Sequence, residues 1–347
     1  MKRIAYWALP LLMIGALTTW SFAQAQQAQP QAQQAQDPKW NSNKEYEDYR
    51  AVYDQKDLAK KAELAEKFFV DHKTADPIAL TQMYQMMLLS YANGGNWVKT
   101  LETVERMSMA PKLTDAEKRQ YTLIGMVAAA NAKNTPKTIE YAEKVLKDDP
   151  KNFNALITLS GALSGTLPQT GPEKDKHIAR TLEVTKAALA LPKPANTTDA
   201  QWNPIQLQLR ETSCLMLLNQ GKHGDAIAEC EAALKINPKD GFAWYWIGLS
   251  HRAALIDLSK KYNESVDKYN AGRTGDQLVV DGLRAEMQGA QKVAEDKRDE
   301  TVDAFARAAA IGGEAGKQAL GELQKIYTGT PDDLQKLIEE KKRQLGD

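Results

Sequence analysis

Only four histidines and two cysteines occur among 347 residues. None of His72, His177, His223 and His251 pairs with another His, Cys or carboxylate at metal-ligand spacing, and HExxH is absent. No metal or cofactor is therefore expected. A surplus of one charge is also lacking: 45 basic residues stand against 45 acidic ones, which argues against the basic footprint of a nucleic-acid binder. Strand-like alternation of apolar and polar residues does not persist anywhere. Gly94-Gly95 and Gly312-Gly313 read as turns or helix ends, not as a phosphate-cradling loop. Ser160-Gly161 and Ser164-Gly165 lie inside helical periodicity, without the strand-to-helix turn that a nucleophile elbow requires. With no catalytic constellation, the chain reads as a non-enzyme.

One long apolar run is present. Lys2 and Arg3 precede apolar residues from Ile4 to about Phe22, and Ser21-Phe22-Ala23 ends the run in an A-x-A-like pattern. Residues 1–23 read as a Sec-type signal peptide, so a periplasmic or secreted location is expected, with no membrane insertion after cleavage. Retention of the run as an anchor stays open, because its length almost spans a bilayer. Residues 24–39 begin with QAQQAQPQAQQAQ, which buries too little apolar surface to order itself and reads as a disordered spacer.

From about Trp40 onward Ala, Leu, Lys, Glu and Gln dominate in helical periodicity. The stretch His223–Arg252 places Ala226, Cys230, Ala233, Leu234 and Pro238, then Trp244, Ile247 and Gly248, at the steps of one helical hairpin running into the next. Upstream, Tyr84, Leu88 and Tyr91 precede a Gly94–Trp97 turn, and Leu101, Val104 and Met107 face back from a second helix. Thr114 and Glu117 have capping-box spacing, and Tyr121 and Gly125 repeat the Trp244–Gly248 step. A fourth hairpin pairs Leu156, Leu159 and Leu163 with Leu182, Ala188, Leu189 and Leu191 across a lengthened turn at 167–172.

This pattern resembles the tetratricopeptide repeat (TPR), a helix–turn–helix unit of 34 residues. The resemblance covers roughly Glu45 to Ile311. It implies an all-α, right-handed helical-repeat solenoid whose first helices line a concave groove. On the family register the groove positions include Gln82, Gln85, Leu89, Arg119, Thr122, Asn154, Ile157, Glu211, Phe242, Tyr245 and Arg252, a mixed surface suited to an extended or helical peptide. Gln85 and Leu89 stand where chaperone-binding members carry Lys and Asn, so that activity is not carried across. Cys214 and Cys230 fall at one height inside a single hairpin; they either form a disulfide or fill two small core positions. His251 takes an apolar position and is expected as a packed, hydrogen-bonded side chain, with His223 solvated in a turn.

The array loses its regularity after Arg252. Leu255, Leu258, Tyr262, Val266 and Tyr269 continue the helical stepping, Gly272 and Gly275 break it, and Val280, Leu283, Met287, Ala290 and Ala294 resume it. Residues 253–298 are therefore expected to form an antiparallel coiled-coil arm between the hairpins of 40–252 and a closing segment at 299–347. The expected function is a non-catalytic protein- or peptide-binding scaffold of the bacterial cell envelope. The alternative is a structural component that self-associates as a homo-oligomer through the arm.

Overall fold

Helix starts along the chain are set by side chains that accept the first unpaired amide groups. Ser42 accepts from the Glu45 amide, Asp57 from that of Lys60, and Asp76 from that of Ile78 just before Pro77 at the first helical position. Thr114 and Glu117 form the reciprocal capping box expected from their spacing, and Thr330 does the same with Asp333. In the computed structural model, which describes residues 37–108, 113–168, 170–195 and 197–346, the described residues form helices and connections with no strand. The signal peptide and the spacer through Gln36 lie outside the described residues. No described helix is long and apolar enough to cross a membrane.

The described helices are α1 (Asn43–Asp54), α2 (Leu58–Asp71), α3 (Pro77–Asn93), α4 (Trp97–Ser108), α5 (Asp115–Asn131), α6 (Thr135–Asp148) and α7 (Phe153–Ser164), followed by α8 (Pro172–Leu189), α9 (Asp199–Asn219), α10 (His223–Ile236), α11 (Gly241–Gly272), α12 (Gln277–Ile311), α13 (Gly313–Ile326) and α14 (Pro331–Gln344). They divide into two compact units between Thr166 and Leu167. In the first unit α1 to α7 pack in chain order, each against the next, and α1 also meets α3. The boundary corrects one expectation: the fourth hairpin is divided, with α7 in the first unit and α8 in the second. Its lengthened turn carries Pro168, Gly171 and Pro172, with Gly171 at φ 94°, and none of these can continue a helix.

Within each unit the paired helices approach closely where a glycine meets a ring. A Cβ added to Gly125 on α5 would lie 2.6 Å from the Tyr141 ring on α6. One added to Gly248 on α11 would lie 2.5 Å from the Phe305 ring on α12. Separately, Val52, Phe68, Met83 and Met87 form one buried cluster at the start of the first unit, where the unbranched methionines fill irregular gaps.

In the second unit α8 to α13 pack in chain order, and α14 folds back on α12. The bonded pair Cys214–Cys230 joins α9 to α10 with the Cα atoms 5.4 Å apart, both side chains fully buried. The irregular segment is carried by two long helices packed on one another: α11 has 32 residues and α12 has 35. At about 1.5 Å per residue they run ~48 and ~52 Å. Ser265 on α11 and Val280 and Ala294 on α12 are buried along their seam, while Ile256, Leu278, Val279 and Val293 are exposed.

Gly248 and Gly282 should respond in opposite senses. Gly248→Val drives two methyl groups toward Phe305 and is expected to cost ~1–3 kcal/mol. Gly282 sits mid-helix with nothing near its Cβ direction, so Gly282→Ala should stabilise by up to ~1 kcal/mol. Thermal unfolding of the two variants checks the pair; equal melting temperatures would remove the close-contact account.

Candidate protein-interaction surface

The first-helix face of the first unit begins with aromatic residues. Tyr46, Tyr49 and Tyr53 recur at three- and four-residue steps and so share one face of α1. Trp40, just before the helix, packs on Tyr46 with centroids 5.5 Å apart and on Tyr49 at 4.8 Å. Tyr49 and Tyr53 follow at 6.4 Å with rings nearly parallel. Tyr49 packs inward on Phe68 of α2, with ring centroids 6.5 Å apart, whereas Tyr46 is 46% exposed and Tyr53 54% exposed. The sequence signal for the strip was Trp40 together with three tyrosines on one helical stripe.

Two of the expected groove residues tie neighbouring first helices together. The Tyr49 hydroxyl on α1 donates to Gln82 Oε1 on α3 at 2.6 Å. Gln85 Nε2 on α3 donates to the Tyr121 hydroxyl on α5 at 3.1 Å. Burial raises the pKa of both phenols, so they stay protonated near neutral pH. Thr122 spends its hydroxyl on the Lys118 carbonyl of its own helix. Arg119 is exposed and edges a cleft of about 440 Å³ lined also by Ala116, Leu123, Val145 and Asp148. Asn154 is half-buried on α7 with partners inside the chain, and Ile157 is core. The structure thus brings Gln82, Gln85, Arg119 and Thr122 onto one run of first helices.

In the second unit the expected groove residues are largely taken up by the chain itself. Tyr245 is buried, its ring 5.9 Å from that of Phe305. Arg252 forms an ion pair with Glu322 on α13. The register predicted an open face here; α13 packs on α11 and supplies the acid, so these two positions are corrected to internal contacts. Phe242 is half-buried against Trp246 at 5.6 Å. His251 is half-buried, with Nδ1 3.2 Å from Glu300; burial, then Lys297, lowers its pKa. His223 opens α10 and is half-buried with Nδ1 enclosed, so it is not the solvated turn residue expected.

Glu211 carries the most perturbed carboxyl on this face. It lies against Asp240, which caps α11 by accepting from the Phe242 and Ala243 amides at 2.9 and 3.1 Å and is only 6% exposed. Burial first, then the contact with Asp240 and its charge, pushes the Glu211 pKa up to about 9 from an ordinary 4.5. The acid therefore keeps its proton at neutral pH. Between these two values the unfolded chain has released a proton that the folded chain retains. Stability contributed by this group is complete below pH 4.5 and falls as pH rises toward 9. Glu211→Gln preserves a donor toward Asp240 without proton uptake. Melting of the variant should match the parent near pH 4 and exceed it by a growing margin up to pH 8; a margin independent of pH would contradict the shared-proton account.

No family model and no curated protein matches the chain. Among solved structures, MamA (MamA MSR-1 C2) overlaps 61% of this chain and 95% of its own, at a TM-score of 0.36 and 15% identity. The C-terminal part of a TPR repeat-containing protein from Cytophaga hutchinsonii overlaps 84% of this chain and 97% of its own, at 0.38 and 9% identity. Human IFIT1, as a dimer with m7Gppp-AAAA, overlaps 98% and 77%, at 0.27 and 13% identity. The TPR-like character of the chain rests on its own helical hairpins and on the glycine–ring contacts that join their helices.

Proposed function

We propose that the protein is a non-catalytic, protein-binding scaffold of the bacterial cell envelope, reading a partner through the first-helix face of its first unit. The observation that carries this is the continuity of that face. Half-exposed Tyr46 and Tyr53, the bridging amides of Gln82 and Gln85, and exposed Arg119 follow one another across α1, α3 and α5. Aromatic rings with a polar rim and few fixed charges are the composition of binding surfaces. Export is supported by the Lys2-Arg3 start and apolar run at the N-terminus, and by the buried Cys214–Cys230 pair, since such bonds persist in oxidising compartments. Capture of partners from envelope extracts tests the reading. The full chain should retain a partner that Tyr53→Ser and Arg119→Glu together release. Identical capture by parent and double variant would overturn the assignment of this face.

A second reading is favoured by a separate observation. Ile256, Leu278, Val279 and Val293 expose large apolar side chains on α11 and α12, and such residues invite association. Self-assembly through the arm predicts a multiple of the monomer mass by light scattering for the full chain and the monomer mass after deletion of residues 253–298. A monomeric full chain would remove it.

A further inference from the structure

We infer that the outer face of α12 pairs with the same face of a second copy of this chain, the two helices running antiparallel about a two-fold axis midway between Ala285 and Glu286. This pairing rests on the self-assembly reading and deepens it with a face, a register and a symmetry.

Spacing and exposure define the face. Leu278, Gly282, Ala285, Gly289 and Val293 follow one another at steps of three and four, so they share one stripe of the helix. All five are exposed, Leu278 at 82% and Val293 at 50%. The stripe lies away from α11: the buried seam runs through Val280 and Ala294, and Leu283 comes up to Gly272 on α11. Nothing lies within 4 Å of where a Cβ would stand on Gly282 or Gly289. Large apolar side chains thus mark both ends of the stripe, with a saddle of bare backbone and one methyl group between them.

A second copy is singled out because the stripe reads alike from either end. Leu278 and Val293 are equally far from the midpoint between Ala285 and Glu286, and so are Gly282 and Gly289. Turned end for end, the helix sets its large residues against each other and its glycines against each other. Bare backbone then meets bare backbone, which lets the two axes approach closely, and the large side chains close both ends of the contact. An unrelated helix or a flat lipid surface gives no reason for a mirrored order of large and small residues.

Charge follows the same symmetry. A two-fold pairing sets each flank of the stripe against the same flank of the other copy. On the flank away from α11 lie Asp281 and Lys292, both exposed. The register brings each to within about two residues, ~3 Å along the axis, of the opposite charge on the other copy. Lys292 has no acid of its own among the described residues. Asp281 meets Gln277 at 2.9 Å and Arg284 at 3.5 Å through Oδ1 alone, so Oδ2 is open to a lysine from outside. On the other flank Glu286 meets its own copy, and its carboxylate is already paired with Lys268 of α11 at 2.7 Å.

Light scattering of the full chain from about 1 to 200 µM tests the pairing, a range set by contact along only ~22 Å of helix. The mass should rise from that of the monomer toward twice that value. Gly289→Glu fills the saddle from a position with nothing near it; it should stay monomeric, with a melting temperature no lower than the parent's at the lowest concentration. Asp281→Lys and Lys292→Asp should each weaken association by about tenfold, and the two together should restore it. Leu278→Cys combined with Val293→Cys should give an oxidised dimer. Either alone should not, because the native cysteines are bonded to each other and like positions lie ~22 Å apart. A parent that is monomeric at every concentration overturns the inference, as does parental affinity in Gly289→Glu or a charge exchange that fails to restore association. Association lost on removal of residues 1–36 alone would seat that segment on the face and overturn it too. A chain that loses self-assembly on deletion of 253–298, yet ignores Gly289→Glu and both charge variants, would overturn this register while leaving the self-assembly reading intact.

Discussion

A missing side chain on one helix, filled by a ring from the next, is the contact on which both units depend. Gly125 admits Tyr141, and Gly248 admits Phe305. Either glycine weakens its own helix by roughly 1 kcal/mol relative to alanine, and what it allows is close approach along a whole hairpin. Once two helices are that near, the adjoining alanines become fully buried: Ala128 and Ala129 on α5, Ala304, Ala306 and Ala308 on α12. A larger residue at the glycine would separate the helices and loosen every one of these contacts together. Such packing is intolerant of added volume because interiors are near crystal density.

Close pairing also decides what each first helix can display. With its inner stripe committed to the partner helix, a first helix has one remaining stripe that is neither core nor fully solvated. In the first unit that stripe is joined between hairpins by Tyr49–Gln82 and Gln85–Tyr121. These bonds use uncharged groups whose orientation is fixed on both sides. The side chains that remain, Tyr46, Tyr53 and Arg119, are thus held on a rigid base. Side chains held this way have little freedom left to lose, which is what pre-organisation of a surface means physically.

Much of this was legible in the sequence, and what was not has a common cause. Thr114 and Glu117 announced a helix start because a capping box is local, decided within four residues. The step from Trp244 to Gly248 recurs at Tyr121 and Gly125 and marked the repeat register; that both glycines admit a ring came only with the structure. The division at Thr166–Leu167 left only the trace of a long turn with two prolines. Tyr245 and Arg252 were misplaced because periodicity tells which stripe a residue occupies, not what covers that stripe. The cover comes later in the chain: Phe305 of α12 over Tyr245, 60 residues on, and Glu322 of α13 for Arg252, 70 residues on. On α1 the stripe is covered only in part: Tyr49 packs on Phe68 of α2, while Tyr46 and Tyr53 on either side of it stay half-exposed. The same registers thus gave an exposed strip in one unit and internal contacts in the other.

Glu211 shows why exposure and cost must be weighed together. A glutamine would satisfy Asp240 without holding a proton to about pH 9, so the acid is not the most stable residue for its position. Burial of a carboxyl beside a carboxylate that already caps α11 opposes folding at neutral pH. Gly282 and Gly289 also cost helix stability, with nothing near enough to require the missing Cβ. The glycines of the hairpin contacts are compensated locally by the rings they admit; these three residues have no such compensation inside the chain. In sequences whose local choices otherwise agree with the fold, uncompensated costs concentrate where something other than stability is selected. All three lie in the second unit, on or next to the segment where regular repeats give way to long paired helices. The first unit joins its first helices by uncharged side-chain bonds and leaves two rings half-exposed, and the second holds the residues that stability alone does not explain.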